Sequence, residues 1–178
     1  MRPDNAFEAE LGNLALDFLY TVRWARNGVV DLLPTPSDLL AWLDSHHEAG
    51  ANLHPREPIA VPDARTLFDE ARRLRSDIGA LVEARARGEQ LPALALYGLN
   101  RILAASPWSW RLTPEPAGGF VLEAREGDRF GLAPLGPIAL AAAHLVTTAD
   151  RSRLRRCASP RCGAWFVDTS KGGRRRWC

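Results

Sequence analysis

Cysteine is scarce in this 178-residue sequence, and all three cysteines lie after position 156. An odd number of cysteines, gathered at one end with no export signal upstream, excludes a disulfide-stapled secreted scaffold and favours metal or thiol chemistry. No run of about 18 apolar residues occurs, so the sequence predicts no membrane span. The N-terminus MRPDNAFEAE also lacks the basic and then apolar pattern of a secretory signal, and we expect a cytoplasmic protein.

Signatures of catalysis are missing as well. The sequence contains no phosphate-binding loop, no dinucleotide fingerprint and no His-Glu-x-x-His zinc-protease motif. No nucleophile, base and orienting group can be assigned to one site from the pattern. We therefore expect a protein that is not an enzyme.

Charge is distributed unevenly along the chain. Residues 151–178 hold nine Lys or Arg and one acid, a net charge of +8, whereas residues 1–150 hold 14 Lys or Arg and 20 acids, a net charge of −6. Hydrophobic residues make up 46% of the sequence, enough for a buried core. We expect a body of residues 1–150 and a basic module of residues 151–178, whose positive field attracts polyanions.

Helical periodicity dominates the body. The second predicted helix has Thr35 as its N-cap and Pro36 at its first position, and Gly50 is its expected stop. The predicted helices are residues 7–25, 35–50, 63–88, 92–105 and 138–150. Two alternating runs around Gly118 and Gly119 predict a β-hairpin over residues 109–125. The expected fold is mainly α: a helical N-terminal domain with one β-hairpin, plus a small C-terminal zinc-ribbon-like module.

The cysteines have the spacing of a partial zinc site. Four residues separate Cys157 from Cys162, and Cys178 follows Cys162 by sixteen positions. Tetrahedral Zn(II) takes close ligands from two turns, so these thiols supply three ligands of a structural zinc and the fourth ligand is not in this chain. Gly163 suits the tight turn that such a site needs. The alternative is inert thiols on a flexible tail, against which the neighbouring aromatic residues argue.

Basic and aromatic residues beside the cysteines form a candidate nucleic-acid surface. Arginine outnumbers lysine eight to one in residues 151–178, which favours bidentate contacts to phosphate or guanine. The predicted binding residues are Arg155, Arg156, Arg161, Lys171, Arg174, Arg175, Arg176 and Trp177. Trp177 could stack on a base or pack over the metal site. We favour DNA over RNA as the partner, and the alternatives are a solvated face or a homodimer in which the arginines pair with the acidic body.

Polar residues interrupt the apolar face of the first predicted helix. Asp17 would be costly to bury alone, so it must meet water, a backbone donor or an arginine such as Arg75. A structural ion pair is one interpretation. The other is a pocket for a small-molecule effector, formed by Asn13, Asp17, Arg23 and Trp24.

A family resemblance covers nearly the whole chain. The finger residues that carry it are Cys157, Cys162, Gly163, Phe166, Asp168, Ser170, Arg176, Trp177 and Cys178, which together resemble the CGNR-type zinc finger. The segments LGNLALDFLYTVRWARNG, PSDLLAWL and LAPLGPIALAAAHLVT are similar to the ABATE domain that accompanies this finger.

The resemblance implies both a ligand set and a function. The finger's last zinc ligand belongs to a Cys-Gly-Asn-Arg motif that this chain lacks, and the family is proposed to contain stress-induced transcription regulators. We therefore expect a zinc-dependent nucleic-acid-binding protein that regulates transcription. The alternative is a protein-interaction or small-ligand-sensing module whose basic tail docks onto an acidic partner.

Overall fold

The computed structural model describes residues 11–25, 28–46, 61–105, 108–114, 120–126, 132–160 and 162–178. The helices are α1 (Leu14–Tyr20), α2 (Pro36–Ser45), α3 (Val61–Arg87), α4 (Ala93–Ala105) and α5 (Gly136–Thr148), with a 3-10 turn at Ala133–Leu135. The strands are β1 (Val22–Ala25), β2 (Gly28–Asp31), β3 (Trp108–Pro114), β4 (Phe120–Glu126), β5 (Leu154–Arg156) and β6 (Trp165–Val167), paired as three antiparallel hairpins. The mainly helical fold is confirmed. None of the described helices combines the length and apolar composition of a membrane span.

Local signals set the bounds of α2 and α3. Thr35 Oγ1 accepts a hydrogen bond from the Asp38 amide at 3.3 Å, and the Asp38 carboxylate accepts one from the Thr35 amide at 3.1 Å. This capping box confirms the predicted start of α2, whereas its predicted stop at Gly50 lies outside the described residues. Helix α3 ends at Arg87, and Gly88 follows with a φ of +72°, a left-handed conformation that glycine adopts readily.

The first helix is shorter than its periodicity predicts. Asn13 caps α1 by accepting a hydrogen bond from the Ala15 amide at 2.9 Å, and the chain leaves the helix at Thr21. Strands β1 and β2 then form a hairpin in which Ala25 pairs with Gly28. The prediction of helix through residue 25 is therefore wrong. The missed signal is the dipeptide at residues 27 and 28, Asn-Gly, which is typical of a tight hairpin turn.

The second hairpin confirms the prediction for residues 109–125. Strands β3 and β4 pair antiparallel from Trp108 opposite Glu126 to Pro114 opposite Phe120. The connection that contains the two predicted turn glycines lies outside the described residues. The alternating pattern of the two runs was sufficient to place both strands.

The hydrophobic core is centred on α3. Helices α1, α2, α4 and α5 all contact it, and its inward stripe is almost fully shielded from solvent. The largest side chains of this core below 2% exposure are Trp42, Phe18, Leu16, Leu39, Leu67, Leu74, Ile78, Leu81, Ile102, Leu135 and Ile138. Each such side chain contributes about 1.5–3 kcal/mol by leaving water, so this cluster supplies the main driving force for folding.

A buried arginine ties the first hairpin to the core. Arg75 in α3 donates from Nη1 and Nη2 to the two carboxylate oxygens of Asp31, at 3.0 and 2.6 Å. Its Nη1 also donates to Thr21 Oγ1 at 2.8 Å. Asp17, suggested by the sequence as a partner of Arg75, instead accepts a hydrogen bond from the Leu11 amide at 2.7 Å. Arg75 thus anchors the hairpin of β1 and β2, whose first strand occupies positions predicted to be the end of the first helix.

The C-terminal hairpin is buried on both faces. Leu154, Trp165 and Val167 pack against the core of the helices, whereas Phe166 packs with Cys157 in a separate cluster. Neighbouring residues along a strand point to opposite sides, so one short hairpin can hold two clusters. Strands β5 and β6 therefore join the helical body to the cysteine segment.

Replacing Arg75 by leucine should lower the free energy of unfolding by about 2–3 kcal/mol. The change leaves Asp31 and Thr21 without the guanidinium that they share. Urea unfolding followed by tryptophan fluorescence measures the loss. The matched control is Arg73→Leu on the same helix, whose side chain is 70% exposed and bonds to Glu70, and which should cost under about 1 kcal/mol. Equal stabilities of the two variants would contradict the assignment.

Candidate metal centre and nucleic-acid interface

Three cysteine sulfur atoms converge in the C-terminal segment. The Sγ atoms of Cys157, Cys162 and Cys178 all lie within 4.8 Å of one another, and 3.4 Å separates those of Cys162 and Cys178. Sulfur ligands about 2.3 Å from a tetrahedral Zn(II) are themselves roughly 3.8 Å apart. All three cysteines are free thiols. The donor set therefore fits zinc, which when bound would act as a structural cross-link and would need one further ligand.

Short turns hold the thiols in place. The Cys162 amide donates to the Ser159 carbonyl at 3.1 Å, which closes the first turn. Gly163 follows with a φ of +66°, as expected for a residue without a Cβ atom. A Cβ atom there would lie 3.0 Å from Cδ1 of Trp24, so the turn also sits close against β1.

Main-chain hydrogen bonds return the last residues to this turn. The Cys157 amide donates to the Ala164 carbonyl at 2.8 Å, and the Ala158 amide donates to the Arg176 carbonyl at 2.8 Å. The second bond brings Cys178 back beside the other two thiols. The spacing of the cysteines in sequence thus becomes proximity in space through two backbone contacts.

Asp168 organises the segment from within. Its Oδ1 accepts hydrogen bonds from the Ser170 amide at 3.0 Å and the Ser170 hydroxyl at 2.5 Å. Its Oδ2 accepts from the Arg175 amide at 2.8 Å and lies 3.8 Å from Nε of Arg155. The Ser170 hydroxyl is the main cause that lowers the pKa of this carboxyl, and the side chain is fully buried. Sequence reasoning did not name Asp168 as a site residue, although the Asp-x-Ser pattern of the finger was its signal.

Two of the thiols have shifted pKa values. Burial, followed by hydrogen bonds with the adjacent thiols, raises the pKa of Cys178 to about 12. Burial alone would raise the pKa of Cys157 too, but backbone hydrogen bonds from Cys178 and Ser159 outweigh it, and the pKa is lowered. Because zinc binds thiolates, coordination must displace a proton from Cys178.

Tyr20 links the metal centre to the helices. The Cys162 thiol lies 4.0 Å from the Tyr20 hydroxyl at the end of α1, and burial is the main cause that raises the pKa of this tyrosine. The two residues are 142 positions apart. No local pattern could have connected them, so sequence reasoning missed this contact.

The predicted nucleic-acid residues fall into two groups, of which the first is exposed and, among the described residues, makes no side-chain hydrogen bond. Lys171, Arg174, Arg176 and Trp177 all project into solvent. Trp177 is 57% exposed, and the guanidinium of Arg176 lies 5.3 Å above its ring. More than half of the Trp177 side chain is therefore open to solvent, and its two predicted roles, stacking on a base and packing over the metal site, stay predictions.

The second group makes hydrogen bonds within the segment. Arg175 donates from Nε to the Trp177 carbonyl at 2.8 Å and from Nη2 to the Cys178 carbonyl at 2.6 Å. Arg155 donates to the Ser152 carbonyl at 3.1 Å, and Arg156 donates from Nε to the carbonyl of Gly163 at 3.2 Å. Position 161, also predicted, lies outside the described residues. These contacts show that part of the basic charge also shapes the segment.

The four residues predicted to form an effector pocket have different surroundings in the structure. Trp24 lines a cavity of about 450 Å³ between α3 and the turn at residues 162–164. Asn13 instead caps α1, Asp17 accepts from the Leu11 amide, and the Arg23 guanidinium lies 5.6 Å above the ring of Tyr20. Because residues 22–25 form a strand, Arg23 and Trp24 do not share a helical face with Asn13 and Asp17.

Two family models match the chain. The ABATE model, described as "putative stress-induced transcription regulator", matches residues 12–149, and the CGNR zinc finger model matches residues 153–178. No curated protein shows a significant match. The two resemblances predicted from sequence are confirmed, as is zinc as the cofactor.

Replacing Asp168 by asparagine should speed the loss of zinc to a chelator by about tenfold or more, because buried hydrogen bonds to a charged group, each worth about 1.5–3 kcal/mol, hold the segment that carries Cys178. An amide can accept only through one oxygen, so either the Ser170 or the Arg175 bonds are lost. Because the pKa of Asp168 is lowered in the folded state, its stabilisation is present at neutral pH and is lost as the pH falls through that value. Asp44→Asn, on the exposed side of α2, is the control and should leave the rate unchanged.

Zinc binding to the metal-free protein at pH 7 should release protons, and the apparent affinity should rise with pH. The reason is that Cys178, with a pKa of about 12, is protonated before coordination. Calorimetry in buffers of different ionisation enthalpy measures the number of protons. Cys178→Ser should release about one proton fewer. An unchanged proton count in that variant would exclude Cys178 as a ligand.

Proposed function

The chain belongs to the ABATE family and carries a CGNR zinc finger, and from that premise we propose that it is a zinc-dependent transcription regulator that binds nucleic acid, with DNA favoured over RNA. In this proposal residues 1–150 form the body and residues 151–178 form the nucleic-acid-binding finger. The protein acts in the cytoplasm, where thiols stay reduced and available to a metal.

The observation that carries the proposal is the burial of Asp168. It is the one acid among residues 151–178, and it is fully shielded from solvent. The finger's single carboxylate side chain therefore holds the fold together from within, and no acidic side chain lies at the surface of residues 151–178 among the basic ones. An uncompensated positive surface attracts a polyanion over distances of about a Debye length.

The exposed group of residues supplies contacts of the right chemistry. Lys171, Arg174 and Arg176 can each neutralise a phosphate, and the guanidinium fork of arginine also matches the edge of guanine. Trp177 presents an exposed aromatic ring on which an unpaired base could stack. These four residues are close in sequence on one segment of the finger.

Arg155 and Arg175 have a positioning role in this proposal. Both bond to carbonyl groups of the finger, and both contact Asp168. Replacing them would alter the structure of the finger, and a change in nucleic-acid affinity could then not be assigned to a lost contact. Both residues are therefore kept in the variants tested below.

Replacing Lys171, Arg174 and Arg176 by glutamine should weaken binding to duplex DNA and flatten its salt dependence. The slope of log affinity against log salt concentration is negative, and each lost phosphate contact makes it shallower by about 0.9. The magnitude of the slope should therefore decrease by nearly 3. Fluorescence anisotropy across a salt series, with zinc content measured in parallel, checks this outcome. A structured RNA of equal length tests the preference for DNA.

The matched control removes the same charge from the body. Arg65, Arg73 and Arg87 lie on α3 with side chains 60–72% exposed, and their replacement by glutamine should leave the slope unchanged. Equal effects of the two triple variants would show that net charge alone matters and would refute a binding surface on the finger. A shallow slope in the wild type would instead favour docking onto an acidic protein.

A further inference from the structure

The body and the finger line a cavity, partly open to solvent, that the proposed function does not use. Its volume is about 450 Å³, within the range of sites for small organic molecules. One wall is the face of α3 that carries Arg72, Ser76 and Gly79, and the opposite wall includes Arg156 and Trp165 of the finger. Trp24 of β1 adds an aromatic side. The cavity is thus shared between two parts of the chain.

Charges in the cavity do not cancel. Arg75 is neutralised by Asp31, and Glu83 is neutralised by Arg87 at 2.5 Å. Within the described residues Arg72 makes no ion pair, and its guanidinium lies 5.8 Å above the ring of Phe68. Two guanidinium groups, those of Arg72 and Arg156, therefore remain without a carboxylate partner.

The guanidinium of Arg156 keeps donors available for a ligand. Its Nε donates to the Gly163 carbonyl, which fixes the direction of the side chain, and its guanidinium carbon lies 5.8 Å from the centroid of the Trp165 ring. In the part of the chain that the structure describes, the terminal Nη atoms make no hydrogen bond. A fixed fork with free terminal donors is suited to a carboxylate or a phosphate.

We infer that this cavity binds a small organic anion, whose charged group meets Arg72 and Arg156 and whose apolar part lies against Trp24. Carboxylates and phosphate esters share this chemistry. The turn at residues 162–164 forms part of the wall, so a ligand would contact the same turn that presents Cys162 to the metal. The inference does not depend on nucleic-acid binding.

Benzoate and phenyl phosphate are the probes, with benzamide as a neutral analogue, and calorimetry on the zinc-loaded full chain measures binding. We expect saturable binding of at least one anion in the millimolar range or tighter, and binding of benzamide weaker than benzoate by about tenfold or more. Arg72→Gln should weaken the anion by about tenfold or more, since a charged hydrogen bond is lost. Arg156→Gln should do the same.

Arg65→Gln is the matched control, because the Arg65 guanidinium also lies above the ring of Phe68, at 6.0 Å, but the residue does not line the cavity. It should bind the anion as the wild type does. Arg72 is exposed, and among the described residues its guanidinium contacts the Phe68 ring but makes no hydrogen bond or ion pair. Its replacement should therefore leave folding unaffected, and the test does not rely on Arg156. Failure of both anions to bind, equal binding of benzamide, or unchanged affinity in Arg72→Gln would each overturn the inference.

Discussion

The carboxylate of Asp168 is the contact on which the finger depends. Residues 151–178 are too few to fold on apolar burial alone, and their apolar cluster contains only Phe166, Ala164 and Cys157 as buried members. Hydrogen bonds to this carboxylate join the turn at Ser170 to the backbone at Arg175. That arrangement brings the last cysteine toward the first two before any metal is considered. It also withdraws the finger's one negative side chain from the surface, so the same group shapes the finger and leaves its exterior basic.

The hairpin of β5 and β6 determines how the finger responds to the body. Trp165 and Val167 belong to the core of the helices, while Phe166 between them belongs to the finger. A change of metal state that moves Phe166 must therefore be transmitted to residues packed on α1, because neighbouring positions of one strand cannot shift independently. Tyr20 adds a second path, since it touches the Cys162 thiol from the end of α1. The finger differs from the body in its charge, but its side chains pack against those of the body.

Structural features that depend on interactions between residues close in sequence could be predicted from the sequence. The capping box of Thr35 and Asp38, the long stripe of α3 and the spacing of the cysteines are all local patterns. The first hairpin was not predicted, because the helical spacing of apolar residues from Leu11 continues to Val22 at the start of β1. The turn signal Asn27-Gly28 was present in the sequence. Contacts such as Arg75 with Asp31 join residues 44 positions apart, and no local pattern specifies them. The cavity depends on such contacts, so the sequence suggested Trp24 but not Arg72.

Net charge overstates how many contacts a basic segment can make with nucleic acid. Residues 151–178 carry nine cationic side chains, yet Arg153, Arg155 and Arg175 donate to carbonyl groups within the segment. An arginine held in this way still contributes to the long-range field, because its charge remains, but the donors that make these bonds are already directed elsewhere. The field therefore reflects the whole segment and governs encounter, whereas close contacts are limited to the cations whose donors are free. On this reasoning the affinity should be lower than the charge of +8 suggests, with its salt dependence set by the cations that keep free donors.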